Sequence, residues 1–466
     1  MHGKAVAKQV MSNQTKYNSF RQTFPEFVYE SYLYDVQSDG LHIVFTFRIG
    51  NHTFQPSATI PSRGFLNFDV DRNLMDRLVF NIGMIELISY WKCFCPPRVV
   101  VQCGGLAPAE VDFWRRVYFN GLGEFFYING IEATMEDFME IVCTGRQQPS
   151  GTLHARLPHE GCYLVPVGGG KDSVVTLELM AEAAGSRSRT VPLIMNPRGA
   201  TVNCIKAAGY TMEDVLVIHR TIHPHLLELN AEGCLNGHTP FSAMLAFYTL
   251  LAAALSGIPN IALSNEASAN EATVAATGVN HQYSKSKAFE DDFRNHAATA
   301  VGTGFNYFSF LRPLAELQIA MLFSREPKYF DVFRSCNAGS KEDRWCGKCA
   351  KCLFAYIILS PFIAPERLNA IFGHNLLDDP QLAQYFTELT GHGETKPFEC
   401  VGTVDEVNTA LSMTIDRWYG AQRPLLLQHY VPQTAKVSLT SLSADHNLSP
   451  LLFNKLNDHV QAAAMG

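Results

Sequence analysis

No apolar run in this chain reaches the roughly 20 residues that a membrane-crossing helix requires; the longest, 243–255, reads as a buried helix. Nor does an apolar stretch follow Lys4 and Lys8, so the polar N-terminal segment carries no secretory signal and reads as a flexible tail. Positive charge is scarce as well. With 37 Lys and Arg against 44 Asp and Glu, the formal charge is -7 and the pI about 6.1, which excludes a general nucleic-acid coat and leaves room only for a local basic cleft. No internal repeat is evident. Without a secretory signal, the 12 cysteines point to reduced thiols and a metal site and argue against a disulfide framework. What is present is length: 466 residues allow two or three domains and a large core.

The pattern along the chain divides it. After a tail over 1–23, residues 27–61 read as β structure, with Tyr32, Tyr34 and Val36 on one face and Asp35 and Gln37 on the other. Leu74, Leu78, Ile82 and Ile85 recur at helical spacing before Pro96-Pro97, 98–102 reads as a strand, and 108–119 as a helix. These elements predict an α+β domain over 24–155, closed by a linker at 147–151. From Cys162 the rhythm changes. Apolar strands at 163–167, 191–195, 215–219 and 260–263 alternate with longer helical patterns, one of them 241–255, which predicts an α/β fold with a doubly wound parallel sheet over 156–352. Ligands bind such sheets beyond the carboxyl ends of the strands, so residues 168–173, Asn196, Arg220 and 264–266 should share one rim. A mostly helical region follows over 353–466, with a helix expected at 404–418.

The first strand of that sheet runs into Gly168-Gly169-Gly170-Lys171-Asp172-Ser173. Three glycines let backbone amides turn inward, and the helix that follows adds its N-terminal dipole, so the loop can cradle phosphate. It is not a Walker A loop, because Asp172 follows Lys171 and Val165 holds the place of the earlier glycine. Two polar stretches lie downstream. In 263–271, Glu266 can bind magnesium with Asp172 or accept a proton, and Asn270 can contact substrate. In 280–290, His281, Tyr283, Lys285 and Lys287 can form an anion clamp, although a solvated charged face would read the same way. A third stretch, 395–403, joins Lys396, Glu399 and Cys400; a thiol there becomes reactive only if neighbours lower its pKa. Cys346, Cys349 and Cys352, spaced by two residues, and Cys336 nearby can close a tetrahedral thiolate site. Structural zinc fits that ligand set, while an iron-sulfur cluster or free thiols stay open.

The order Gly-Gly-Lys-Asp-Ser resembles the PP-loop of ATP pyrophosphatases, with Gly168 in place of their usual Ser, a change that costs one hydroxyl contact but no backbone donor. The cysteine spacing after such a domain is similar to that of 7-cyano-7-deazaguanine synthases. Taken together, residues 168–173, 263–271, 280–287 and 396–403 resemble the ATP-dependent UDP-N-acetylmuramoyl-L-alanyl-L-glutamate epimerases along nearly the whole chain from Phe24. That resemblance implies a cytoplasmic enzyme of peptidoglycan synthesis that inverts the terminal glutamate of UDP-MurNAc-L-Ala-L-Glu, using ATP and magnesium and releasing AMP and pyrophosphate. It implies nucleotide contacts from Gly168, Gly169, Gly170, Lys171, Asp172 and Ser173, magnesium on Asp172, and chemistry from Lys171, Asp172, Glu266, Lys285 and Cys400. Substrate would then meet Asn270, His281, Tyr283, Lys287, Lys396 and Glu399. Two other readings remain at this point: an enzyme activating a deazapurine carboxylate, and a nucleotide-binding module without turnover.

Overall fold

The computed structural model describes residues 12–146, 153–274, 276–339, 342–419, 422–434 and 436–465. Among them, eleven strands form one mixed, mostly parallel sheet. They are β1 (Glu26–Gln37), β2 (Gly40–Ile49), β3 (His52–Phe54), β4 (Ser57–Pro61), β5 (Arg98–Val101), β6 (Glu140–Cys143), β7 (Tyr163–Pro166), β8 (Thr190–Met195), β9 (Leu216–Thr221), β10 (Asn260–Leu263) and β11 (Asn306–Ser309). Their order is β11-β10-β7-β8-β9-β4-β2-β1-β5-β6, with β3 paired to β2. The four strands expected between 163 and 263 are all present and all parallel, and β11 adds a fifth.

Consecutive residues of these parallel strands enter different cores, as the two-residue period of a strand demands. Leu164, Leu193, Leu216 and Ile261 face the helices Arg72–Trp91, Phe241–Ser256 and Lys287–His296. Val165, Ile194, Val217 and Ala262 face Lys171–Ala183, Glu316–Phe323, Ala350–Leu359 and Val404–Thr414. A sheet buried on both faces explains why its strands read as continuous apolar runs. Strand order also reverses between β7 and β10, since the chain goes from β7 outward through β8 and β9 and then returns to the other side of β7. Crevices open at such a reversal, at the carboxyl ends of the strands.

Three features differ from the sequence expectation or extend it. Within 1–23, Asn13–Thr23 is a helix capped by Ser12, with Tyr17 buried and Arg21 donating to the carbonyls of Cys95 and Phe138. Its polar sequence hides it, because a single buried side chain leaves no apolar stripe. The first 155 residues and the following region share one sheet, joined where β4 pairs antiparallel with β9. A buried bidentate pair reinforces that join: Arg220 of β9 holds Glu86 at 2.6 and 2.7 Å. The α-helix expected over 404–418 ends at Thr414 and continues as a wider turn over Ile415–Tyr419. The linker expected at 147–151 lies outside the described residues.

Candidate active site

Strand β7 ends at Pro166, and the glycines follow at the crevice. A side chain on Gly168 would meet nothing, so its backbone faces open space. Gly169 adopts φ +84° with the backbone of Ala200 and Thr201 3.0 Å from where a Cβ would stand; both the left-handed conformation and the close approach require glycine there. Its carbonyl accepts from the amide of Arg334 at 2.7 Å, which braces the loop. The helix Lys171–Ala183 then begins, with Ser173 Oγ donating to Gly170 O at 3.0 Å.

Lys171 is buried and donates to Asp172 Oδ1 and to Glu316 Oε2. Burial opposes its charge, but the two carboxylates outweigh that and raise its pKa. Glu316 opens the helix Glu316–Phe323; burial, together with Asp172 and Glu266 nearby, lifts its pKa to about 7 despite Lys171. Asp172 stays ionised: desolvation raises its pKa, and Lys171, Lys351 and Lys285 pull it down further. Glu266 is buried beside the same groups, and desolvation raises its pKa. The carboxyls of Asp172 and Glu316 thus hold the Lys171 ammonium, and Glu266 lies beside them facing Lys285 as well.

The 395–403 stretch closes the other side. Gly402 passes so near Glu316 that a Cβ would stand 3.2 Å from its Cγ and 2.5 Å from Glu406 Oε2. Glu406 ties the loops together, accepting from Ser268 Oγ at 2.8 Å, Glu316 N at 2.7 Å and Thr403 N at 2.6 Å. Two residues before Gly402 stands Cys400, whose carbonyl accepts from Lys351 Nζ. Burial alone would push its thiol up, yet Lys285, Lys351 and His281 hold its pKa well below the usual thiol range. His281 Nε2 lies 3.9 Å from the sulfur, and Lys285 hydrogen-bonds to it. Lys285 remains a cation: desolvation disfavours its charge, but Cys400, Glu266 and Asp172 raise its pKa. Arg312, fully buried, fixes the geometry by donating to the carbonyls of Glu266 (2.6 Å) and Lys285 and to Glu290 at 3.2 Å.

Four helices therefore start around this site, at Lys171, Glu316, Ala350 and Val404. Their N-terminal dipoles favour anions there. Lys171, Asp172, Glu266, Lys285, Cys400, His281 and Glu399 are brought together; Glu399 lies beside Lys351 and Cys400, and burial raises its pKa. The remaining candidates stand at the margin, each with a partner. Asn270 accepts from Lys287 N, Lys287 pairs with Asp291 and Asp445, Lys396 pairs with Glu271 at 2.9 Å, and Tyr283 packs against Phe289. Sequence reasoning missed Glu316, Lys351, Arg312, Glu406 and Glu124, whose carboxylate contacts His281. A wide cavity of about 770 Å³ lined by Asn375, Asp378, Tyr419 and Arg423 is formed by none of these groups.

The sulfurs of Cys336, Cys346, Cys349 and Cys352 gather within 4.8 Å of one another, with close pairs at 3.5 to 3.8 Å. A tetrahedron with metal–sulfur bonds of about 2.3 Å has edges of about 3.8 Å, so the four thiols fit a zinc ion. Gly347, at φ +67°, makes the turn between Cys346 and Lys348, whose amide points at Cys346 Sγ from 3.4 Å. Asp172, Glu266 and Glu316 are the carboxylates that could hold a divalent cation beside the glycine loop.

Residues 18–310 match the family model of the MurL N-terminal domain and residues 332–443 that of the MurL C-terminal domain. A UDP-N-acetyl-alpha-D-muramoyl-L-alanyl-L-glutamate epimerase of a Micromonospora species is 34% identical over 397 residues, covering 83% of this chain and 86% of that protein. Proteins of the same name from Salinispora tropica and Xanthomonas oryzae pv. oryzae are 34% and 31% identical, covering 89% and 91% of this chain and 91% and 94% of their own lengths. No solved structure matches. Among the described residues no helix is long and apolar enough to cross a membrane. With both family domains matched in order, and relatives aligned over most of their length, the chain belongs to the UDP-N-acetyl-alpha-D-muramoyl-L-alanyl-L-glutamate epimerase family.

Proposed function

We propose that this chain inverts the terminal L-glutamate of UDP-MurNAc-L-Ala-L-Glu by adenylating its α-carboxylate and exchanging its α-proton, a cytoplasmic step of peptidoglycan synthesis. The observation that carries this reading is that the glycine-loop residues and Cys400 converge on one site, with Lys285 facing both Asp172 and Cys400. Gly402 joins the Cys400 segment to Glu316, the partner of Lys171, so activation and proton exchange can share one substrate carbon.

The α-proton of a free glutamate is very weakly acidic because its carbanion would sit beside a full carboxylate charge. Transfer of AMP to that carboxylate cancels the charge and leaves an acyl group that delocalises the carbanion as an enolate. In this reading the amides of Gly168, Gly169 and Gly170, Lys171 and the helix terminus hold the triphosphate of ATP. Asp172 and Glu316 would hold magnesium, which supplies positive charge against the departing pyrophosphate. Cys400, poised as a thiolate, takes the α-proton. Lys285, poised as an ammonium, is the acid that returns a proton, so the site offers one base and one acid at neutral pH. Water then cleaves the acyl–phosphate bond, which releases AMP and restores the α-carboxylate. Cys336, Cys346, Cys349 and Cys352 would hold a structural zinc that fixes the start of the helix Ala350–Leu359 and with it Lys351. The deazapurine reading and the reading without turnover leave the paired Cys400 and Lys285 unemployed.

Incubation with UDP-MurNAc-L-Ala-L-Glu, ATP and magnesium in deuterated water tests the proposal. AMP and pyrophosphate should accumulate, and acid hydrolysis should release D-glutamate carrying one deuterium at Cα. Inversion without ATP, or without solvent deuterium, would overturn it.

A further inference from the structure

Behind Cys400 lies a second layer of titratable groups from a distant part of the chain. Glu124 stands in the short helix Gly123–Asn129, and its Oε2 accepts from Nδ1 of His281 and lies 3.2 Å from Nδ1 of His238. The contact is built in from several sides. A Cβ on Gly123 would stand 3.3 Å from Val279, so glycine there lets the 279–281 segment approach the helix. Tyr127 of the same helix packs on Phe398 with ring centroids 5.3 Å apart, which holds the helix against the Cys400 segment. The amide of His281 donates to Thr273 Oγ1 at 3.1 Å. Lys92 donates to Thr239 Oγ1 at 2.6 Å and to the carbonyls of Gly237 and His238, fixing the loop that carries His238. One imidazole therefore spans a carboxylate on one nitrogen and a sulfur on the other, with three side chains, Glu124, His238 and His281, each only 11 to 22% exposed.

We propose that Glu124 is a positioning residue for the proton exchange: it holds His281 as the doubly donating imidazolium that faces the Cys400 sulfur, so that Cys400, His281 and Glu124 act as one relay. The helix Gly123–Asn129 of the N-terminal region thereby completes a site otherwise built after residue 167. This deepens the proposed function and rests on proton exchange being the reaction at Cys400. When the thiolate takes a proton from substrate, the relay keeps a second proton on His281 in contact with the sulfur. The relay then holds one proton more, the one taken from Cα, and Lys285 gives the proton that returns to carbon, so the exchange balances without a further reactant. His238 shares the same carboxylate oxygen. Burial and the neighbouring His281 lower its pKa to about 4, so it donates as a neutral ring; His281, although burial disfavours its charge, is raised to about 9 by Cys400 and Glu124. The charged groups facing Cys400 are His281, Lys285, Lys351 and Glu399; those facing His281 are Glu124, Cys400, His238 and Glu399, and Lys92 faces His238.

The test needs no substrate. The alkylation rate of Cys400 by iodoacetamide, located by peptide mass spectrometry, is followed against pH in the full chain and in Glu124→Gln. The inflection should move upward by at least about one unit, which lowers the rate on the acid side about tenfold. Glu124→Asp, which keeps the charge, should restore most of it. An unchanged inflection in a Glu124→Gln protein that melts like the unaltered chain would overturn the relay. If Glu124→Gln does not fold, His281→Asn decides: it leaves Glu124 in place and must raise the inflection too, and failure to do so overturns the relay. Because AMP release is read separately, failure of the epimerase reading would leave this result distinguishable.

Discussion

The two ends of the site use opposite charge balances. At the glycine loop Asp172 and Glu316 accept from Lys171 and Glu266 lies beside them, crowded enough that the pKa of Glu316 is lifted to about 7 although Lys285 and Lys351 also reach this cluster. At the thiol, the cations Lys285, Lys351 and His281 converge on Cys400. Both ends are largely desolvated, so neither balance is cheap to maintain. Under the proposed function, carboxylates crowded beside the glycine loop would be offset by a divalent cation that arrives with the anionic phosphates. Excess cation around a thiol keeps it ionised and leaves positive charge for an anionic substrate. On the proposed function, the difference suits a loop end that receives a metal–phosphate pair and a thiol end that holds a base.

The largest effect should come from separating the ends. Cys400→Ala should lower deuterium incorporation at the glutamyl Cα by about 10³-fold or more, within the range for loss of a general base, while substrate-dependent AMP release stays within about tenfold. Equal loss of both would break the comparison, because the thiol would then serve activation too. Asp172→Ala should lower AMP release by about 10²- to 10³-fold, the scale of a lost electrostatic partner, and inversion should fall with it. Alkylation of Cys400 should be unchanged in that variant; a shifted profile would mean that the loop controls the thiol.

Arg312→Met addresses what both ends share. The guanidinium is buried among Glu290 and the carbonyls of Glu266 and Lys285, so its loss should leave Glu290 uncompensated and destabilise the chain by about 3–5 kcal/mol. Urea unfolding measures this. A change under about 1 kcal/mol would show that Glu266 and Lys285 are held by packing alone.

Local order made half of this site legible. Gly168 to Ser173 is contiguous, its strand and helix have the expected periods, and the rim position follows from parallel topology; Cys400 and Lys285 could be singled out as reactive types in polar stretches. What pairs with them could not be read. Glu316 meets Lys171 across 145 positions and Glu124 meets His281 across 157. In sequence each looks like an acidic residue in a first helical turn, where such residues are favoured anyway. Lys351 resembles any solvated lysine between two cysteines. Strand β11, at four residues, is too short for a period to show, and the β4–β9 join depends on a pairing between segments about 160 residues apart that only the folded sheet reveals.

The smallest expected effect is a pH profile that distinguishes the thiol end from the loop end. His281 has a raised pKa, so the stability it contributes is complete below its unfolded value of about 6.5 and is lost as pH rises through about 9. Cys400 has a depressed pKa, so its contribution exists above the unfolded value of a thiol and is lost as pH falls through its folded one. The thiolate–imidazolium pair is thus populated between those limits and disappears at the alkaline end when His281 loses its proton. Deuterium exchange should therefore fall above about pH 9, while the melting temperature should stay nearly flat between pH 7 and about 8, because the proton that folded His281 keeps offsets the one that folded Cys400 has lost. His281→Asn should remove that offset, so that the melting temperature rises with pH over the same window through Cys400 alone, while the pH dependence of AMP release stays as it was. If the profile stays flat in His281→Asn, another group supplies the offset, and the charge balance at the thiol does not rest on the imidazolium.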